Sequence, residues 1–223
     1  MIKLILFDLD DTLYDSEEYI KSGFKAVTSY AVEKYGIDPD TFYSFLYTLR
    51  RKYKEKEIFS HVINFFSLDP STVIEFISVF RSHKPRINLY KGYRNILKDL
   101  KTVYKLALLT DGDVQVQTKK IEALRVKSLF DKIFFTAKFP HSKRKPSPFC
   151  FTIIADVFKI STNEIIYVAD NPFLDFIGAK KAGVFTLRVL TGEFKDLVVP
   201  SYYDAHYRIE DISVIKHYIT DYF

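Results

Sequence analysis

Cysteine and long apolar runs are nearly or wholly missing from this sequence. Its 223 residues contain one cysteine, Cys150, so no disulfide can form within the chain and a reducing compartment suits it. No apolar stretch reaches the ~18 residues that a membrane span needs. The chain starts directly with an apolar run that reads as a strand, which leaves no room for a signal peptide. We therefore expect a cytoplasmic protein with no membrane partner.

Long basic runs and metal-binding histidine patterns are also missing. Lys and Arg number 33 against 28 Asp and Glu, a net charge of +5, and the densest basic clusters, 50–52 and 143–145, are too short to indicate nucleic acid. The five histidines show no metal-ligand spacing. The mild positive charge suits small anionic substrates, although such an excess more often serves solubility.

Hydrophobic residues, at 48%, are sufficient for one large domain or for a domain with an insertion. From about residue 15 to 84, apolar residues recur at helical spacing, which predicts four amphipathic helices in a small bundle. In the fourth helix we expect Asp69 as the cap and Pro70 as the first helical residue, with Ile74 on its apolar stripe.

Strands and helices alternate in the rest of the chain. The predicted strands are 1–12 (with its following loop), 104–110, 132–136, 164–169, 184–189 and, more weakly, 205–208. Helices are predicted at 92–101, 114–123, 148–158, 173–182 and from about 211. This alternation implies parallel βαβ units. The predicted fold class is α/β, a doubly wound, Rossmann-like parallel sheet core (1–14 and 88–223) with a helical-bundle cap domain (15–87) inserted after the first strand.

Two carboxylates end the first apolar run, which covers residues 3–7. A buried strand that delivers Asp8 and Asp10 to one place costs stability unless their repulsion is offset, and a divalent cation does this best. Because open α/β sheets bind ligands at the carboxyl ends of their strands, this run predicts a metal-assisted site. The neighbouring Asp11 is expected to point into solvent.

Three further polar groups stand at strand ends or in a polar loop. Each alone is a weak signal, but their order along the chain together with the first run is specific. In chain order they are Thr110, Asp111 and Gly112 after one strand, Lys145 before Pro146 in a loop, and Asp170 with Asp175 after another strand.

The four groups together resemble the haloacid dehalogenase superfamily over essentially the whole chain. That family carries Asp-x-Asp-x-Thr, then a hydroxyl residue ending a strand, then a lysine often followed by proline, then two acids after a strand. The first motif here reads Asp8-Leu9-Asp10-Asp11-Thr12. The helical insertion resembles the first-position cap of subclass I. Two residues depart from the family pattern: Asp111, where asparagine is frequent, and Ala169, where glycine or serine is common.

The resemblance implies a magnesium-dependent phosphatase acting on a small phosphorylated metabolite. Asp8 would be the nucleophile that forms an aspartyl-phosphate, and Asp10 the general acid and base. The phosphoryl group would be bound by Thr110, Asp111, Gly112 and Lys145, of which Thr110 and Lys145 also count as catalytic. We expect the side chain of Asp111 itself to turn away from the phosphate or to bind a substrate hydroxyl.

The resemblance also implies how a cation is held. Mg²⁺ would bind Asp8, Asp170 and the backbone carbonyl of Asp10. Two residues would support the site, Thr12 by holding the loop and Asp175 by orienting Lys145 or a metal-bound water. The oligomeric state is left open by the sequence.

Other functions compete with this interpretation. Within the superfamily they are a 2-haloacid dehalogenase, against which Asp10 argues because halide needs no proton, and a phosphomutase. A non-enzymatic phosphoacceptor or binding module is less favoured, since receiver domains lack a helical insertion. The substrate-selecting residues are hidden; polar or basic candidates in or beside the predicted cap are Tyr14, Arg50, Arg51 and Lys84.

Overall fold

The computed structural model describes residues 1–50, 52–53 and 55–222. Its strands form one six-stranded sheet in the order β3-β2-β1-β4-β5-β6, and every neighbouring pair is parallel. The strands are β1 (Leu4–Phe7), β2 (Lys105–Thr110), β3 (Lys132–Phe135), β4 (Ile165–Ala169), β5 (Phe185–Val189) and β6 (Tyr207–Ile209). The helices are α1 (Ser16–Tyr35), α2 (Pro39–Arg50), α3 (Glu55–Phe65), α4 (Thr72–Ser82), α5 (Tyr93–Lys101), α6 (Val114–Leu124), α7 (Phe149–Phe158), α8 (Phe176–Lys181) and α9 (Ile215–Tyr222).

The two central strands, β1 and β4, place the polar residues that follow them side by side. They pair in parallel register from Leu4 opposite Ile165 to Phe7 opposite Val168, and every residue of both strands is buried. Such continuous apolar runs are typical of parallel strands covered on both faces. The chain runs from β1 outward to β3 and then returns to β4, so the strand order reverses between β1 and β4. Open α/β sheets bind ligands at the carboxyl ends of the strands at such a reversal.

The predicted doubly wound, Rossmann-like sheet is confirmed, with small shifts at its later elements. The last strand lies at Tyr207–Ile209 rather than at 205–208. Helix α8 begins at Phe176, three residues later than predicted. The reason is a turn in which the backbone N–H of Asp175 donates to Asn171 O over 3.0 Å and Asn171 Oδ1 accepts from the N–H of Phe173 over 3.0 Å. Asn side chains commonly stabilise such turns.

The chain divides into two compact units, residues 1–16 with 88–223, and residues 17–87. The larger unit contains the sheet. In the smaller unit, helices α1 to α4 are joined through a core of phenylalanine rings, where Phe76 lies 5.6 Å from Phe42 and 6.0 Å from Phe59 between ring centroids. These edge-to-face contacts are a favourable aromatic geometry.

Two predictions for the fourth helix are wrong. Helix α4 begins at Thr72, because Asp69 closes a turn by accepting from the N–H of Ser71 over 2.8 Å instead of capping a helix that starts at Pro70. Ile74 is exposed, and Phe76 occupies the buried face. Within the part of the chain that the structure describes, no helix is both long and apolar enough to cross a membrane.

Candidate active site

Asp8 continues the central ladder one residue beyond β1. Its backbone N–H donates to Val168 O of β4 over 2.9 Å, which fixes the direction in which its carboxylate leaves the sheet. The chain then turns, with the N–H of Leu13 bonded to Leu9 O over 3.0 Å. Asp8 is 7% exposed. The backbone of Asp8 is therefore fixed at the carboxyl end of β1, and its side chain is largely shielded from water.

Lys145 connects two of the carboxylates that the sequence singled out. Its Nζ lies 2.7 Å from Asp8 Oδ1 and 2.8 Å from Asp175 Oδ1, and the three side chains are buried. Tyr167, on β4, completes the group: its hydroxyl donates to Asp175 Oδ1 over 2.7 Å and accepts from Lys145 over 3.2 Å. Although burial lowers the pKa of Lys145, Asp175 and Asp8 raise it well above its usual value. The ammonium is thus charged and fixed between two carboxylates.

Gly178 in α8 allows the loop that carries Lys145 to approach. A methyl group at Gly178 would lie 2.1 Å from Pro146 O and 2.8 Å from Pro146 C, distances at which atoms overlap. Helix α8 therefore contacts the backbone just after Lys145 directly. The same helix begins after Asp175, so one element positions both the lysine and its second carboxylate.

Asp170 follows β4, as Asp8 follows β1. Its Oδ1 accepts a hydrogen bond from Thr12 Oγ1 over 3.1 Å, and the carboxylate is 4% exposed. Burial, together with the charges of Asp175 and Asp8, raises the pKa of Asp170 well above its usual value. Burial raises the pKa of Asp8 to about 7, although Lys145 lowers it. With one lysine beside these carboxyl groups, full ionisation of both Asp8 and Asp170 is disfavoured.

The donor set of this cluster fits a hard divalent cation. Within the described residues, no three Asp, Glu, His or Cys side chains form a metal-binding group, so Asp8 and Asp170 would need a main-chain carbonyl and water to complete a coordination sphere. Mg²⁺ is commonly held in this way, by one or two carboxylates with several waters. A cation here would also offset the burial and repulsion that raise both carboxyl pKa values.

Asp10 is placed by donors from helix α6. Its Oδ2 accepts from Gln117 Nε2 over 3.0 Å, and its Oδ1 accepts from Lys120 Nζ over 2.7 Å and from the hydroxyl of Tyr14. Burial raises the pKa of Asp10, but Lys120 and these hydrogen bonds outweigh it, so that the net pKa is lowered. The side chain of Asp10 is therefore engaged by Gln117, Lys120 and Tyr14, and a cation would bind the backbone carbonyl of Asp10 rather than its carboxylate.

Thr110 ends β2 with a hydroxyl that has no hydrogen-bond partner among the described residues. It is 1% exposed, and a buried polar group without a partner is costly unless something else binds it. The next residues leave the sheet through Gly112, whose φ of +111 favours glycine. The arrangement provides a hydroxyl, and backbone N–H groups after it, for an anion.

The carboxylate of Asp111 is bound by a neighbouring side chain: its Oδ1 accepts a hydrogen bond from Thr136 Oγ1. Its side chain thus turns away from the site, one of the two arrangements expected from the sequence.

Asp11, expected in solvent, is instead buried: its two oxygens accept from the N–H and the hydroxyl of Ser16, each over 2.9 Å. That prediction is wrong because the acid binds the N–H and the hydroxyl of the first residue of α1.

Several residues with clear contacts in the site were not selected from the sequence. Tyr167 stands in an otherwise aliphatic strand, and this single polar ring is the only sequence signal for it. Gln117 and Lys120 belong to a predicted helix that carries no functional motif. Their three-residue spacing could have placed them on one face of that helix. Tyr14, a substrate candidate, is fully buried and bonded to Asp10.

Two of the other substrate candidates, Arg50 and Lys84, lie in the smaller unit. Arg50 pairs with Glu17 over 3.0 Å. Lys84 lines a surface groove of about 600 Å³ within that unit, together with Lys25 and Arg86. Arg51 lies outside the described residues.

Comparison with known proteins gives the family. A protein-family model, described as haloacid dehalogenase-like hydrolase, matches residues 5–189 of this chain. Glyceraldehyde 3-phosphate phosphatase of Methanocaldococcus jannaschii is 28% identical over 217 residues, covering 92% of both chains, and that of Methanopyrus kandleri is 26% identical over 207 residues, covering 88% of both. A solved subfamily IA hydrolase of the same superfamily from Geobacter sulfurreducens superposes with a TM-score of 0.73 at 20% identity, covering 98% of this chain and 96% of that one. Since the family match spans most of its length, this chain is an enzyme that belongs to the haloacid dehalogenase-like hydrolase family.

Proposed function

We propose that this hydrolase is a magnesium-dependent phosphatase that cleaves small phosphate monoesters through an aspartyl-phosphate on Asp8. One observation carries the proposal: Lys145 is fixed within 2.8 Å of Asp8 and Asp175, in a buried cluster that also holds Asp170. A carboxylate nucleophile beside a fixed cation is what attack on an anionic phosphoryl group needs, since like charges must approach each other.

In the first step an oxygen of Asp8 attacks phosphorus and the bond from phosphorus to the leaving oxygen breaks. Lys145 and the hydroxyl of Thr110 would donate to the phosphoryl oxygens, together with the backbone N–H groups at 111 and 112. Asp10 in its protonated form would give its proton to the departing alkoxide. The products of this step are the alcohol and the aspartyl-phosphate.

In the second step water attacks phosphorus and the bond to Asp8 breaks, which releases inorganic phosphate. Asp10, now ionised, would take the proton from the attacking water. The lowered pKa of Asp10 favours this ionised form, and the proton gained here is the one given to the next leaving group. Proton transfer of this kind contributes about 10²–10⁴-fold to rate.

Asp8, Asp170 and the backbone carbonyl of Asp10 would hold the cation. Bound there, Mg²⁺ would supply charge neutralisation between the nucleophile and the phosphoryl group. Thr12 would keep Asp170 oriented through its 3.1 Å hydrogen bond, and Asp175 would keep Lys145 in place.

The relatives support a choice of first substrate. Two that cover 92% and 88% of this chain are named glyceraldehyde 3-phosphate phosphatases, so a triose phosphate is the first member of the panel to test. The role of residues 15–87 as a cap that selects the leaving group stays a prediction. So does the cytoplasmic location.

The test is a screen of phosphorylated metabolites with Mg²⁺, measuring inorganic phosphate, in which Asp8→Asn should release none. Release of halide from a 2-haloacid would favour a dehalogenase, and isomerisation of a sugar phosphate without phosphate release would favour a mutase. Turnover of no phosphate ester in the panel would contradict the proposal.

A further inference from the structure

Two side chains of α6 bind the acid that the proposed function uses, yet the proposed chemistry gives them no role. Gln117 donates to one oxygen of Asp10 over 3.0 Å, and Lys120 donates to the other over 2.7 Å. Both donors are buried, Gln117 at 4% and Lys120 at 7% exposed. We refer to Gln117 and Lys120 as the α6 pair.

The start of α6 sets the direction of the α6 pair. Asp113 caps the helix by accepting from the N–H of Gln115 over 2.8 Å and from that of Val116 over 3.1 Å, which fixes where the first turn begins. Residues three apart in a helix lie on one face, so Gln117 and Lys120 point together. The same helix follows directly from the Thr110–Gly112 segment. One rigid element therefore carries both the proposed phosphate loop and the donors to Asp10.

Burying Lys120 between α6 and the loop after β1 carries a desolvation penalty. Its charge must be paired when it leaves water, and an apolar residue of similar size would often stabilise the contact at least as well. The α6 pair engages both carboxylate oxygens of Asp10, since Lys120 binds Oδ1 and Gln117 binds Oδ2. Donors on both oxygens restrict rotation of the carboxylate, which a single ion pair would not do.

We propose that Gln117 and Lys120 are positioning residues, which hold the Asp10 carboxylate in the orientation from which it protonates the leaving oxygen. The proposal rests on the proposed function and adds to it. The opposing explanation is that the ion pair only attaches α6 to the loop after β1, in which case its loss would affect stability and all substrates alike.

The dependence of rate on the leaving group separates the two explanations. An alkyl phosphate releases a strongly basic alkoxide and needs the proton from Asp10, whereas p-nitrophenyl phosphate releases a stable phenolate and hardly needs it. The value of kcat/KM reports the steps up to departure of the leaving group, so it isolates this requirement from hydrolysis of the aspartyl-phosphate. The substrates are p-nitrophenyl phosphate and the best alkyl ester of the metabolite panel.

Lys120→Met removes the charged donor and keeps the length of the side chain. We expect kcat/KM for the alkyl ester to fall by about 10–100-fold, which is part of the roughly 10²–10⁴-fold that general acid catalysis supplies. The value for p-nitrophenyl phosphate should change by less than about 3-fold, because little proton transfer is needed. Lys120→Arg, which keeps a charged donor, should recover part of the loss. The matched control is Lys119→Met, in the same helix but pointing elsewhere, which should leave both values unchanged.

Gln117→Met supplies a second test that removes no charge, in case Lys120→Met does not fold. It should show the same selective loss on the alkyl ester, about 3–10-fold, consistent with one neutral hydrogen bond. Circular dichroism and thermal unfolding identify a variant that has not folded.

Equal losses on both substrates in folded variants, or no loss on either, would overturn the positioning role while leaving the phosphatase intact. A wild-type enzyme that turned over neither ester would overturn the proposed function and this inference with it.

Discussion

Lys145 Nζ lies 2.7 Å from Asp8 Oδ1, with the two side chains 2% and 9% exposed. The contact joins a polar loop to the end of the first strand across 137 residues of sequence. It gives the proposed nucleophile a fixed positive neighbour before any substrate arrives. Asp175 Oδ1 lies 2.8 Å from the same ammonium. The lysine is therefore held by two carboxylates and not by Asp8 alone.

The first prediction concerns the nucleophile. Asp8→Asn keeps the shape of the side chain and an oxygen that can accept from Lys145, but an amide does not attack phosphorus. We expect kcat to fall on the order of 10⁴-fold or more, as when other enzymes lose a nucleophile, with the far-ultraviolet circular dichroism spectrum unchanged. Asp156→Asn, the same change at an exposed position of α7, is the control. Full activity of Asp8→Asn would rule out the mechanism.

The second prediction concerns the cation. Chelation should reduce phosphate release to background, and Mg²⁺ should restore it. Because Asp8 and Asp170 repel each other when ionised, Mg²⁺ should also raise the thermal midpoint, by the equivalent of about 2.7 kcal/mol at roughly 100 times its Kd. Asp170→Asn should lose most of this rise, whereas Asp156→Asn should keep it. Activity that persists unchanged in excess chelator would contradict the cation site.

The third prediction concerns the contact between α8 and the Lys145 loop. Gly178→Ala places a methyl group 2.1 Å from Pro146 O, so the loop must move and carry Lys145 with it. Overpacking of this kind lowers the free energy of unfolding by about 1–3 kcal/mol, and a displaced lysine should lower kcat by about 10–100-fold.

Gly36→Ala is the matched control for that change. Its methyl group would meet no atom of the described residues within 4 Å, but its φ of +65 disfavours alanine, so we expect a loss of about 1 kcal/mol in unfolding free energy and unchanged kcat. A Gly178→Ala enzyme with wild-type kcat would show that the loop position is not critical.

The fourth prediction concerns pH and a pair of arginines away from the site. Burial raises the pKa of Asp204, but hydrogen bonds from Arg208 and the N–H of Ala205, with the charge of Arg188, outweigh it, and the net pKa is lowered. A depressed folded pKa means that ionised Asp204 stabilises the protein above the unfolded pKa of about 3.9. That contribution is lost as the pH falls through the folded value.

The measurement is urea unfolding of wild type and Asp204→Asn across pH. We expect the wild type to be the more stable at pH 7 and the difference to shrink progressively below about pH 4, where both states of Asp204 take up a proton. A difference that stayed constant down to pH 2 would contradict the assigned pKa direction.

The sheet and the main-chain positions of the site follow from the sequence because they depend on local signals. The run that ends in Asp8 and the run that ends in Ala169 before Asp170 are continuous and apolar, which is how a doubly covered parallel strand must read. Parallel strands then bring their carboxyl ends to one edge. The local signals thus place Asp8 and Asp170 at the same edge of the sheet, whereas their joint binding of one cation is what the resemblance to the superfamily implies.

Side-chain partners were less predictable because they depend on contacts distant in sequence. Lys120 reads as one of many lysines on an amphipathic helix, and only the fold shows it buried against Asp10. Tyr167 reads as part of an apolar strand, yet its hydroxyl is bonded to Asp175. The predictions for Asp69 and Asp11 are wrong for a local reason. An acid can bind several nearby N–H groups, and the sequence does not show which it will bind.

The most direct test of the account is the identity of the residue that carries phosphate during turnover. The enzyme is mixed with its best substrate and Mg²⁺, quenched in acid within milliseconds, reduced with borohydride to convert any aspartyl-phosphate into homoserine, and digested for mass spectrometry. We expect homoserine at position 8 alone, and none in Asp8→Asn. An active enzyme that shows no modification at position 8, or shows it at another residue, would contradict covalent catalysis by Asp8.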